Sequence, residues 1–221
     1  MRNIRVTGRG QIRVHPDTTR ITITLEGKYL DYGETLKHSS DDTEQLRNLL
    51  EFQGFARTDL KTLSFDVETV YESYKVKEEW KRRFDGYKFT HVMKVEFDSD
   101  NERLGKILYS LSNCLLQPEF RLSYTVKDPE AVKNELLGNA VQDAAAKAKV
   151  LSSAAGLSLG EIQSVDYSWG QINFEVEPMG RDLRMCECLP TAASGGGSYD
   201  MDIEPDDIEV RDTVTVVWGI A

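Results

Sequence analysis

Residues Asp128 to Gly156 read DPEAVKNELLGNAVQDAAAKAKVLSSAAG, and the fold follows from how this stretch is packed. Asp128 suits an N-cap, and Pro129 suits the first helical turn, where its missing N–H costs no hydrogen bond. Val132, Leu136, Ala140, Ala144, Ala148, Leu151 and Ala155 recur every three or four positions and form one apolar stripe. Alanines at its centre let the helix backbone come closer to the layer beneath than leucines would. Gly156 ends the helix, because glycine enters the left-handed C′ conformation cheaply.

The layer beneath is found at the start of the chain. Ile4, Val6, Gly8, Gly10, Ile12 and Val14 share one parity, and Arg5, Thr7, Arg9, Gln11 and Arg13 share the other, which predicts a half-buried strand. Its two glycines lie on the apolar side, where a missing side chain marks close approach by another backbone. The alanine ridge is the expected partner. After His15-Pro16-Asp17, Ile21, Ile23 and Leu25 alternate with Thr22 and Thr24, predicting a second strand antiparallel to the first.

Outward from these, residues 32–52 hold Leu36, Thr43, Leu46 and Leu50 at helical spacing and close at Gly54. Leu63, Phe65, Val67 and Tyr71 alternate, as do Tyr87, Phe89, His91, Met93, Val95 and Phe97. Together they predict a long antiparallel hairpin with its tip at 72–86. Asp100 caps a short helix bearing Leu104, Ile107, Leu108 and Leu111, and a strand follows from Phe120 to Val126. Residues 162–169 and 208–218 are strand-like, and 171–207 form a long loop that should order against something. The expected fold is a single α+β domain over 1–221, an antiparallel sheet packed by two long helices and one short one. Gly54-Phe55, Asp59-Leu60, Thr62-Leu63 and Phe65 are echoed by Gly156-Leu157, Glu161-Ile162, Ser164-Val165 and Tyr167, as a partial internal duplication would leave them.

Size and charge narrow the function. A chain of 221 residues buries about 70% of its extended surface on folding and needs no metal or disulfide to do so. Against 27 basic residues stand 37 acidic ones, and the net charge of −10 argues against a general grip on nucleic acid. No apolar run approaches the ~20 residues of a membrane-spanning helix. Met1-Arg2-Asn3 leads straight into the first strand, so the expected location is the cytoplasm.

No catalytic residue emerges. His15, His38 and His91 fall in a turn, a helix and a strand, with no ligand-spaced neighbours. Cys186-Glu187-Cys188 is the sharpest local candidate, for a soft metal or a strained redox pair, but no second pair completes four ligands. Cys114 reads as a small core residue. Gly8-Arg9-Gly10 lies inside a strand and has Arg13 where a dinucleotide fingerprint needs glycine. Lys81-Arg82-Arg83, between Trp80 and Phe84, read as a solvated hairpin tip more readily than as a nucleic-acid contact. The acids Asp200, Asp202, Glu204, Asp206 and Asp207 lack the ordered spacing and the glycine of a calcium loop.

Val6-Thr7-Gly8-Arg9-Gly10, the Pro16-Asp17 turn, Gly86-Tyr87, the Ala140 to Gly156 helix running into Leu159-Gly160-Glu161-Ile162, and Ile203-Glu204-Pro205-Asp206-Asp207-Ile208-Glu209-Val210 together resemble the SIMPL-domain family of the bacterial periplasmic immunogenic protein and its oxidative-stress-associated relatives. The resemblance implies an α+β fold, no established catalysis and a tendency in at least some members towards homo-oligomers, and it carries over no catalytic residue; no cofactor is expected. Many family members carry an export signal, which Met1-Arg2-Asn3 does not. The expected function is therefore a non-enzymatic structural or interaction module that self-associates or meets another protein. Its rival is a small-molecule or metal-binding, redox-linked stress protein using Cys186 and Cys188.

Overall fold

The structure is a computed structural model and describes residues 2–76, 79–167, 174–176 and 198–221. In chain order the elements are β1 (Asn3–Val14), β2 (Thr18–Tyr29), α1 (Tyr32–Phe52), β3 (Lys61–Val76), β4 (Glu79–Asp98), α2 (Asn101–Ser112), β5 (Glu119–Thr125), α3 (Pro129–Ala154), β6 (Leu159–Tyr167) and β7 (Ile208–Ile220). The α+β expectation holds, with two long helices and one short one. The strands, however, form two antiparallel sheets rather than one, ordered β1-β7-β6 and β3-β4-β2-β5. The chain divides into two compact units, one built from residues 1–17, 124–176 and 205–221 and the other from 18–123 and 177–204.

The first unit rests on the close approach anticipated above. Asp128 caps α3 by accepting from Ala131 N at 2.9 Å, Pro129 opens the helix, and Gly156 lies beyond its end with φ +68°. Ala140, Ala144 and Ala148 are fully buried against Val6, Val214, Val216 and Trp218. A Cβ on Gly8 would collide with the Ala140 carbonyl oxygen and lie 2.5 Å from Ala144 N and 2.8 Å from Ala144 Cβ. On Gly10 it would collide with the Leu136 carbonyl oxygen. The buried stripe keeps a strict spacing of four and ends at Ser152, so Leu151, one position off that row, is 50% exposed.

The sequence reading errs on strand pairing. β1 pairs along its whole length with β7, from Asn3↔Gly219 to Val14↔Ile208, and β2 pairs with β4 in the other sheet. Alternation tells which side of a strand faces a core, not which strand lies beside it.

In the second unit α1 and α2 pack Leu46, Leu50, Leu104, Ile107, Leu108 and Leu111 onto Ile21, Ile23, Leu25, Phe89, Met93 and Val95. The α1 stripe is Thr35, Ser39, Thr43, Leu46 and Leu50, so Leu36 lies outside it at 38% exposure. Small hydroxyl residues can occupy this face because they return their hydrogen to the helix: Thr35 Oγ1 donates to Asp31 O and Thr43 Oγ1 to Ser39 O, both at 2.7 Å. Part of the late loop joins this unit. Tyr199 N donates to Gly105 O at 3.3 Å, and Met201 and Ile203 pack against the core.

The units share a chain path. A strand (β1 or β2) precedes a helix (α3 or α1), the helix is followed by a positive-φ glycine (Gly156 or Gly54), and two further strands follow (β6-β7 or β3-β4). In each sheet the last strand of the path lies between the other two.

The β1–α3 contact makes a sharp prediction. Gly8→Val should destabilise the protein by about 3 kcal/mol, whereas Gly138→Ala, on the same helix with no neighbour within 4 Å of the new Cβ, should be neutral or stabilising by up to about 1 kcal/mol. Urea unfolding of the two variants measures both, and equal effects would contradict the packing described.

Candidate interaction surface

Each long helix covers only part of its sheet. α3 packs on β1 and β7 and barely reaches β6, and α1 packs on β2 and β4 but not on β3. The reason is dimensional, since a helix is about 10 Å across and strands lie about 4.8 Å apart, so one helix shields two strands. β6 and β3, each at an edge of its sheet, are therefore left with apolar side chains in the open. On β6 these are Ile162, Val165 and Tyr167, between 43% and 53% exposed. On β3 they are Leu63, Phe65, Tyr71 and Tyr74. β1, the other edge of its sheet, is partly closed: its Arg9 N–H donates to Asp143 Oδ2 at 2.7 Å.

The hairpin differs from its sequence reading. β3 and β4 continue as paired strands through the expected tip, from Tyr71↔Phe84 to Val76↔Glu79. β2 accompanies β4 only as far as Tyr29↔Tyr87, so the rest is a two-stranded ribbon. At this junction Gly86 takes φ +120°, beside a register shift between Val70 and Tyr71, and a Cβ on it would lie 2.5 Å from Tyr29 O. Lys81, Arg82 and Arg83 belong to this ribbon. Arg82 lies over the Tyr71 ring at 5.6 Å, and Arg83 lies 6.0 Å from the Tyr74 ring centre while pairing with Glu72 at 2.6 Å. Two of the three cations thus serve the ribbon itself.

The histidines remain separate. His15 Nδ1 lies 3.2 Å from Asp207 Oδ1, and His38 stacks on Tyr29 with ring centres 4.1 Å apart. His91 is buried between two threonines, with Nδ1 3.0 Å from Thr43 Oγ1 and Nε2 2.9 Å from Thr62 Oγ1. Thr43 gives its only hydroxyl hydrogen to Ser39 O, so Nδ1–H donates to Thr43 and Nε2 accepts from Thr62. Burial, with the Arg47 charge adding to it, holds the His91 pKa below its ordinary value. Burial also raises the Tyr29, Asp42 and Tyr124 pKa values, the Asp42 charge adding to the effect on Tyr29.

Among the described residues no group of three His, Cys, Asp or Glu could hold a metal ion. Cys186 and Cys188 lie outside those residues. Cys114 follows α2, half-buried, with its thiol directed to Leu111 O. Gly8-Arg9-Gly10 is strand backbone beneath α3. A depression of about 430 Å³ is lined by Val165, Asp166, Tyr167, Thr213 and Thr215, beside the β6 edge. Uncovered third strands were not read from the sequence, although the narrow stripes of both helices carry the signal.

Comparison with known proteins agrees with the family resemblance. Residues 4–218 match the family model SIMPL, described as "Protein of unknown function (DUF541)". A 26 kDa periplasmic immunogenic protein of Brucella abortus (strain S19) is 26% identical over 163 residues, 73% of this chain and 65% of that protein. Its namesake in Brucella melitensis biotype 1 is 25% identical over the same share of each chain. The chain thus spans about two thirds, 65%, of the length of these relatives. Their names overturn the cytoplasmic expectation, which rested on the missing leader pattern alone, a pattern also missing from exported chains once the leader is removed.

His91 gives a pH dependence. The unfolded imidazole takes up a proton near 6.5 and the folded one only at lower pH. Its contribution to stability is therefore complete above pH 6.5 and declines as pH falls through the folded value. Unfolding midpoints measured from pH 7.5 to 4.5 should drop more steeply for the wild type than for His91→Phe; parallel curves would refute the assignment.

Proposed function

The chain belongs to the SIMPL family, and on that premise we propose that it is a non-catalytic interaction protein of the periplasm that self-associates through the open edges of β3 and β6. The observation that carries this reading is the pair of third strands left uncovered by their helices. An edge strand presents unpaired N–H and C=O groups to any strand brought alongside, and proteins commonly blunt such edges with lysine, proline or a bulge. β6 carries none of these at Val165 and Tyr167, after its last register shift. On β3 the aromatic face continues onto a two-stranded ribbon, an arrangement of marginal stability in water that gains from an added strand or surface. The periplasmic location follows the names of the Brucella relatives.

The placement of the displaced titrating groups supports a non-catalytic role. His91 and Tyr124 are buried, Asp42 lies on α1, and Tyr29 stacks on His38 of the same helix. None of them lines the depression beside β6.

Light scattering over a concentration series tests the reading. The wild type should form a discrete oligomer, and Val165→Lys or Phe65→Lys, each placing a charge on an exposed apolar edge position, should shift it to smaller species with little change in unfolding midpoint. A wild-type monomer at all concentrations, or edge variants that assemble as the wild type does, would overturn it.

A further inference from the structure

Two arrays of opposite charge on this chain make no ion pair within 4.0 Å among the described residues. On β1, the residues facing away from α3 are Arg5, Thr7, Arg9, Gln11 and Arg13, all exposed. Among the described residues, none of the three arginines has a carboxylate within 4.0 Å. The nearest acids are shared: Glu209 takes Arg211 at 2.8 Å and Gln11 and also feels the charge of Arg13 opposite it on β1, and Asp143 takes Lys147 at 2.6 Å and the Arg9 N–H and also feels the Arg9 charge. In the segment leading towards β7, Asp200, Asp202 and Glu204 are exposed and alternate with Met201 and Ile203, whose side chains pack into the second unit's core. Among the described residues these three acids have no ion-pair partner either.

We propose that the arginine face of β1 in one copy receives the Asp200–Glu204 acid strip of a second copy. This deepens the self-association reading and rests on it. Spacing sets how they can meet: at about 3.3 Å per extended residue successive arginines stand about 13 Å apart, so the Asp200–Glu204 strip, about 13 Å from end to end when extended, reaches two of the three at a time, Arg5 with Arg9 or Arg9 with Arg13. Charge supports the choice of occupant. Two chains of net charge −10 repel each other overall, so contact is favoured where a local cationic face meets a local acidic one. A free polyanion would meet the same arginines without any surface to order it. The two arrays are different surfaces, so the contact is heterologous and builds rings or open chains of copies.

The test is a charge swap on the full chain, read by analytical ultracentrifugation at low and high salt. Arg5→Glu/Arg9→Glu/Arg13→Glu, and separately Asp200→Lys/Asp202→Lys/Glu204→Lys, should each weaken assembly about tenfold or more. Mixing the two reversed chains should restore a complex, and wild-type assembly should weaken with salt. Should the glutamate variant lose its native circular dichroism, the neutral Arg5→Gln/Arg9→Gln/Arg13→Gln variant, expected to weaken assembly in the same direction, takes its place. A wild-type oligomer that neither reversal weakens, or reversed chains that do not recombine, would overturn this contact while leaving edge pairing standing. A wild-type monomer would overturn both, and arginine-dependent capture by anionic vesicles without self-association would assign the face to a membrane surface instead.

Discussion

The structure depends on backbone-to-backbone contact between α3 and β1. Gly8 and Gly10 leave no side chain between the strand and the helix, and Ala140 and Ala144 present only methyl groups. Close-packed interiors tolerate little added volume, so a pair of backbones this near demands glycine on one side and very small residues on the other. In the second unit Thr35, Ser39 and Thr43 form part of the buried face of α1 at the same spacing of four, without glycines beneath them among the described residues. Alanine allows close approach by its small volume, and threonine tolerates burial by returning its hydroxyl hydrogen to the helix.

Close approach has a consequence for the surface. A helix seated low on two strands shields them well and leaves a third beyond its flank. β6 and β3 occupy that third place, and their apolar residues stay exposed for the same reason that the alanines and hydroxyl residues are buried. The open edges are thus a product of the packing rather than a separate feature laid over it. The aromatic residues of the β3–β4 ribbon extend this surface, with Arg82 and Arg83 lying against Tyr71 and Tyr74.

What could be read in advance was whatever depends on neighbours along the chain. Asp128 and Asp100 as caps and Gly54 and Gly156 as helix ends follow from local chemistry; the glycine-alanine match, between residues distant in the chain, was legible because both partners lack bulk on their apolar faces. Leu36 misled because hydrophobicity alone nominated it, while the helix buries hydroxyl residues that can satisfy themselves. Strand pairing misled because His15-Pro16-Asp17 reads the same whether the next strand pairs back or enters another sheet. The candidate surface was the least legible part, since exposed apolar residues on β6 and β3 alternate just as buried ones do. Cys186 and Cys188 fall outside the described residues, so the rival redox reading gains no geometry here.

The central claim is that the alanine ridge seats directly on β1 with no room to spare, and it can be met from the helix side. Equilibrium unfolding of Ala144→Leu measures it most directly. The account predicts a loss of about 3 kcal/mol, because Ala144 is fully buried and its neighbour across the gap is Gly8. A variant as stable as the wild type would contradict it, since the extra methylenes would then have found space that the packing described does not contain.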